Sequence, residues 1–321
     1  RSFHVTGVQT CALPILKKLL MPLMVAIIVM VSSCDMQTKK TKVVSVDDKA
    51  VALAKDFSKK FETNYNEGNS EGVALLFTNN AIRVIGTSQK AIVGFESIKN
   101  SFESEIGNNG ILEGATIAIT TKTARFLTDE FLIGCGTWAI MNKDNQSVIS
   151  GKWGNTFKLI NGELRIFMES AYPNTLDGMD SVSRLIPIEA HHVFALTTKK
   201  NYRKIEASIN DFTNLFNTKE FNALSKEFTE DGIRSVSGIK DIIKGRKAIA
   251  GSFINETEGI LNASVSGFKN VGNSFIVAYG QWNLTDIDGN LIEYGQWGNV
   301  LEVIDGRAII VMESAGTFYS R

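Results

Sequence analysis

The chain has 321 residues, 44% of them hydrophobic and 21% charged, with 34 basic side chains against 34 acidic ones. That length exceeds a single small core and suits about two domains. The formal charge of zero excludes a broad electrostatic hold on nucleic acid, and 27 glycines and 4 prolines exclude collagen-like and low-complexity disordered classes.

From the N-terminus, residues 5–15 (VTGVQTCALPI) resemble the translated read-through of a sequencing adapter, which sets 1–15 aside together with His4 and Cys11. Lys17 and Lys18 then precede an apolar run over 19–31 and the small residues Ser32 and Ser33. A basic start, an apolar core and small residues make a secretory signal over 16–33. Such a run rises about 20 Å as a helix, short of a hydrocarbon core of roughly 30 Å. Val31-Ser32-Ser33-Cys34 resembles a bacterial lipobox. The resemblance implies lipidation of Cys34 and anchoring to a membrane of the bacterial cell envelope; ordinary signal-peptidase cleavage is the alternative. Setting Cys11 and Cys34 aside leaves only Cys135, so no internal disulfide is expected. In the strand-like segment FLIGCGTW that thiol reads as a small hydrophobe. Neither predicted domain contains a histidine, so no metal site is expected, and nothing implies a cofactor.

Beyond a tether (34–46), the chain divides into a first domain (47–172), a linker (173–203) and a second domain (204–321), because the sequence repeats. Laying 134–170 over 278–314 needs no gap and aligns Gly136 with Gly280, Trp138 with Trp282 and Gly151 with Gly295. It also aligns Trp153-Gly154-Asn155 with Trp297-Gly298-Asn299, and Met168-Glu169-Ser170 with Met312-Glu313-Ser314. Upstream the offset lengthens to 151, where Ile82-Arg83 meets Ile233-Arg234.

Each copy opens on an amphipathic helix, spaced by Phe57, Phe61 and Tyr65 in the first and by Ile205, Ile209, Phe212, Leu215 and Phe216 in the second. A short second helix is predicted near 70–77 and 219–228, and a third after Gly94 and Gly245. Strands follow, separated by the two-residue hairpin signals Asn161-Gly162, Asp288-Gly289 and Asp305-Gly306, with Asp144-Asn145 a weaker one. Helices followed by an antiparallel meander predict an α+β fold with helices on one sheet face.

That order, with FNTKEFNALSKEFTEDGI, GRKAI and the series G-x-W, G-x-W-G-N, D-G, M-E-S, resembles the nuclear-transport-factor-2-like superfamily, nearest its ketosteroid-isomerase and polyketide-cyclase-like (SnoaL-like) branch. The resemblance covers both domains. It implies two tandem cone-shaped domains, each with about three N-terminal helices packed on a curved antiparallel sheet around a pocket, and a habit of dimerising through the outer sheet face.

Two-residue loops at 144–145 and 161–162 would place Trp138 opposite Gly151, Trp153 opposite Gly136 and Ser170, and Asn155 opposite Met168. One face would then carry Trp138, Trp153, Asn155, Phe157, Met168 and Ser170, and in the second domain Trp282, Trp297, Asn299, Leu301, Met312 and Ser314. An apolar concavity with an amide and a hydroxyl suits a small hydrophobic or amphipathic ligand; core packing beneath the helices is the plain alternative. The opposite face would carry Cys135, Thr137, Lys152, Thr156, Phe167 and Glu169 against Tyr279, Gln281, Gln296, Val300, Val311 and Glu313. Such a mixed face suits an intrachain pseudo-dimer.

Enzymes of the resembled superfamily use acid–base residues in the pocket. A position often histidine in similar sequences is Met168 and Met312 here, which favours binding over catalysis. Glu169 and Glu313 are weak candidates for a general base in an isomerase- or cyclase-like reaction, and a Glu169 buried and pointing into a pocket would reverse the preference for binding. A protein-interaction module is the third reading. His191 and His192 fall in the linker, where neighbours on a strand would diverge and chelate poorly. Arg83 and Arg234 read as surface salt-bridge partners or anion clamps.

Overall fold

The computed structural model describes residues 46–174, 199–254 and 258–320. The adapter-like and signal segments, Cys34, His191 and His192 lie outside the described residues.

The first half begins with α1 (Val46–Asn66), α2 (Ser70–Ala74), β1 (Phe77–Ile85), the short β2 (Ile92–Val93) and α3 (Phe95–Ile106). It continues with the meander β3 (Thr116–Phe126), β4 (Phe131–Met141), β5 (Ser147–Ile160) and β6 (Glu163–Pro173). The second half repeats this with α4 (Lys199–Asn217), α5 (Phe221–Leu224), β7 (Phe228–Val236), β8 (Ile243–Lys244) and α6 (Arg246–Ser252). Its meander is β9 (Ile260–Val271), β10 (Phe275–Thr285), β11 (Leu291–Ile304) and β12 (Arg307–Ser320). The second half's first helix thus starts inside the segment expected to be linker. The two sheets have the orders β2-β1-β6-β5-β4-β3 and β8-β7-β12-β11-β10-β9.

The meander is antiparallel, but β1 and β7 join it in parallel with β6 and β12. Each sheet is therefore mixed, because the first strand returns to pair with the last. The whole is α+β, with two tandem helix-fronted sheets.

Apolar periodicity explains the helix packing. Phe57, Phe61 and Tyr65 on α1 and Ile98, Phe102 and Ile106 on α3 are buried in one core with Phe157 and Ile166 of the sheet. The α1 end also closes the sheet edge: Ile117 N donates to Asn66 Oδ1 at 2.7 Å. Leu261 N donates to Asn217 Oδ1 at the same distance. Unpaired edge amides are thereby covered, and the match fixes Asn66 and Asn217, hence Tyr65 and Phe216, as equivalent positions.

The β4–β5 pairs match the hairpin arithmetic, with Trp138 opposite Gly151 and Gly136 opposite Trp153. The loops expected to be two residues at 144–145 and 288–289 are longer, closed by Asn142 N to Gln146 O and Asp286 N to Asn290 O. A register shift beside each restores the pairing. The β5–β6 register departs from the arithmetic. Asn161 and Gly162 both adopt positive φ, 52° and 82°, and Ile160 pairs with Glu163 across the expected tight turn. Phe157 then pairs with Ile166, but Thr156 pairs with Met168 and Trp153 with Ala171. Phe167 is an extra residue, a β-bulge, and beyond it every side chain of β6 changes face. The same step recurs in the second half, where Leu301 pairs with Ile310 and Val300 with Met312.

The bulge corrects the expected faces. Met168, Ser170, Met312 and Ser314 turn away from the helices, while Glu169 and Glu313 turn toward them. On the outer face, Ile82, Cys135 and Met168 of the first half pack in one buried cluster with Ile233, Val300 and Met312 of the second. Ser170 Oγ donates to Gly298 O at 3.5 Å and Ser235 Oγ to Trp153 O at 3.4 Å. The glycine of each Trp-Gly-Asn motif has a steric reason here. A Cβ on Gly298 would lie 2.2 Å from Ser170 Oγ, and one on Gly154 would lie 3.1 Å from Ser314. The motifs interlock reciprocally: each half's Met-x-Ser presses on the other half's glycine.

Candidate functional site

Between helices and sheet each half forms a cavity open at one side, about 340 Å³ in the first and about 520 Å³ in the second. The first is walled by Phe57, Phe61, Trp138, Trp153, Phe157 and aliphatic side chains including Ile117, Ile119 and Ile149. The second is walled by Phe212, Phe216, Phe253, Trp282, Trp297 and Leu284. All four tryptophans of the chain thus line cavities.

Their rings lie flat over the neighbouring strand because glycine faces each one. A Cβ on Gly136 would meet Trp153 Nε1 at 2.7 Å, and one on Gly151 would meet the Trp138 ring at 2.4 Å. Trp138 Nε1 donates to Lys152 O at 3.1 Å and Trp282 Nε1 to Gln296 O at 3.2 Å. These bonds hold the indoles as walls.

Asn155 and Asn299 also line the cavities, but each carboxamide oxygen serves the bulge. Ser170 N donates to Asn155 Oδ1 at 3.2 Å, and Ser314 N donates to Asn299 Oδ1 at the same distance. The bulge breaks the ladder, and the asparagine satisfies the backbone donor it frees.

The polar floor is a buried ion pair absent from the expected pocket face. Arg83 Nε donates to Glu169 Oε2 at 2.7 Å, with both side chains under a tenth exposed. The guanidinium also donates to Ser101 Oγ at 2.8 Å and Glu105 Oε2 at 3.0 Å, and stacks 3.9 Å from the centre of the Phe102 ring. Tyr65 Oη donates to Glu105 Oε1 at 2.9 Å. In the second half Arg234 Nε donates to Glu313 Oε2 at 2.7 Å, Nη1 to Ser252 Oγ at 3.0 Å, and the guanidinium covers Phe253 at 3.8 Å. The arginines are therefore interior residues, contrary to the surface role expected of them. The duplicated Ile-Arg and Met-Glu-Ser motifs carried this signal, since a charge kept in both copies at matched positions is a pair waiting for a register.

Burial raises the Glu169 pKa; Arg83 pulls it down and Glu105 adds to the rise. Burial alone would lower the Arg83 pKa, but Glu169 and Glu105 more than offset it, and the guanidinium is held charged. Burial, reinforced by Glu105, keeps the Tyr65 phenol protonated. Cys135, in the inter-sheet cluster, is pushed by burial up to about 12, which makes it inert. No group of three or more His, Cys, Asp or Glu residues suited to a metal ion occurs among the described residues.

No family model matches the chain, and no curated protein matches it. Similar solved structures include a cystatin-like-fold domain of unknown function from Nostoc punctiforme, with 11% identity over 40% of this chain and 78% of that one, TM-score 0.36. An NTF-2-like protein of unknown function from Shewanella oneidensis has 12% identity over 38% and 97%, TM-score 0.33. A ketosteroid isomerase-like protein from Erwinia carotovora has 11% identity over 39% and 96%, TM-score 0.32. No activity passes to this chain through these likenesses.

Proposed function

We propose that the protein is a binding protein that holds a small, largely apolar molecule in one or both cavities. The observation that carries this is the pair of open-mouthed, aromatic-walled cavities, each within the roughly 300–1,000 Å³ of small-molecule sites. Core packing would have filled them. The lipobox-like Val31-Ser32-Ser33-Cys34 supports tethering to a bacterial envelope membrane through Cys34, and the interlocked outer faces support an intrachain pseudo-dimer.

Native mass spectrometry of the protein purified from its own host should show an adduct that disappears on denaturation. Its absence, together with unchanged tryptophan emission across a panel of amphipathic probes, would remove the reading. Separately, Cys34→Ala should move the protein from the membrane to the soluble fraction.

One observation favours a second reading, a pocket enzyme with Glu169 as general base: the carboxylate lines the cavity and its pKa is raised. Glu169 is buried and in the cavity as that reading requires. The Arg83 guanidinium bonded to it at 2.7 Å, however, stabilises its charged form and lowers its basicity, so binding stays the first reading. Turnover of a carbonyl substrate that is lost in Glu169→Gln while binding persists would establish the enzyme.

A further inference from the structure

Resting on the binding reading, we infer that the first cavity selects a cationic amphiphile, an alkyl or aryl ammonium, with its charged end at the Glu105–Glu169 floor and its apolar part against the aromatic wall. Three observations lead there.

Among the described residues the charges lining this cavity are one arginine and two glutamates, Arg83, Glu105 and Glu169, a formal excess of one negative charge when both carboxyls are ionised. Burial and Glu105 raise the Glu169 pKa, so a proton and a ligand cation compete to neutralise that excess. The Tyr65 phenol adds none, since its pKa is raised further above the ordinary value. An uncompensated charge of this kind is costly to bury. A ligand cation removes that cost and a neutral ligand does not.

The arginine is also committed to the protein's own groups. Its Nε, Nη1 and Nη2 donate to Glu169, Ser101 and Glu105, and one face of the guanidinium covers Phe102. An anionic ligand would meet a guanidinium already neutralised by carboxylates held at 2.7 and 3.0 Å and would add a further negative charge to the floor. A fatty acid or organic phosphate is therefore the wrong chemistry for this site, despite the buried arginine. Finally, the cavity is lined by the rings of Phe57, Phe61, Trp153 and Phe157, and an aromatic face attracts a desolvated ammonium.

The test is a titration of the full chain at neutral pH with octyltrimethylammonium, octanol and octanoate, each below its micelle concentration and followed by tryptophan emission. Octyltrimethylammonium should bind about tenfold more tightly than octanol, as expected of a desolvated cation among rings and carboxylates, and octanoate should bind weakest. Glu105→Gln should collapse the ratio of cation to alcohol affinity. Glu169→Gln makes the same change of charge and serves if the first variant does not unfold cooperatively. Octanol or octanoate binding as tightly as the cation overturns the charge selection and leaves the binding reading standing. A cation preference that survives both variants overturns its assignment to this floor. No binding of any probe removes the binding reading, and the inference with it.

Discussion

The two halves share a frame and differ in their walls. Both keep the Arg–Glu floor, the tryptophan-over-glycine crossings, the bulge and the asparagine that serves it. Across from Trp138 stands Ile119, and across from Trp282 stands Ala263. Tyr65 becomes Phe216, Ile149 becomes Glu293 and Pro173 becomes Thr317. The first cavity is also lined by Ile111 and Leu112, from the stretch where the first copy is longer, and the second cavity is about 520 Å³ against about 340 Å³. The duplication thus preserved what holds the sheet and let the lining drift, as expected if the two cavities hold different molecules.

The largest way to break the comparison is to remove the shared floor. Arg83→Met removes the guanidinium that Glu105 and Glu169 share, and Arg234→Met removes the one bonded to Glu313. Each should lose about 3–5 kcal/mol in denaturant unfolding, the cost of breaking a buried pair. A near-neutral result in one half alone would show that its pair is not structural.

The interlocking glycines sharpen the comparison next. Gly298→Ala drives a methyl into Ser170, whereas Gly154→Ala meets Ser314 at the edge of tolerance. The first should cost about 1–3 kcal/mol, as overpacking does, and the second less; equal losses would contradict the asymmetry. Tyr65→Phe copies the second half into the first and removes one hydrogen bond to a carboxylate, about 1.5 kcal/mol, with the change confined to the first cavity's probe affinities.

The smallest effect is a pH slope. Because the folded pKa of Glu169 is raised by burial, its contribution to stability is present below the ordinary carboxylate pKa. That contribution is lost as pH rises through the folded value. Glu169→Gln should flatten stability against pH between the ordinary carboxylate value and the raised one. An unchanged profile would mean that the carboxyl titrates as in the unfolded chain.

Much of the site was legible in advance. Tryptophans aligned with glycines in both copies announced the wall, and period-two arithmetic from the Asp144 loop found their register. Met168 and Ser170 misled, because the arithmetic was carried from the Asn161-Gly162 turn past Phe167. A bulge leaves no compositional mark when the extra residue is an apolar one in an apolar strand. One residue of slip exchanged a methionine and a serine for a glutamate, and with it an uncharged pocket for one floored by an ion pair.

The sequence by itself determined the duplication, the α+β order and the tight turns at Asn161-Gly162 and Asp305-Gly306, because these rest on local periodicity and on residues that tolerate positive φ. Only the tertiary structure decided which face Glu169 occupies, that Arg83 is interior, and that the glycine of Trp-Gly-Asn exists for the opposite sheet. Those facts depend on pairing between distant strands and on packing of one half against the other, where a single unpaired residue reverses every side chain beyond it.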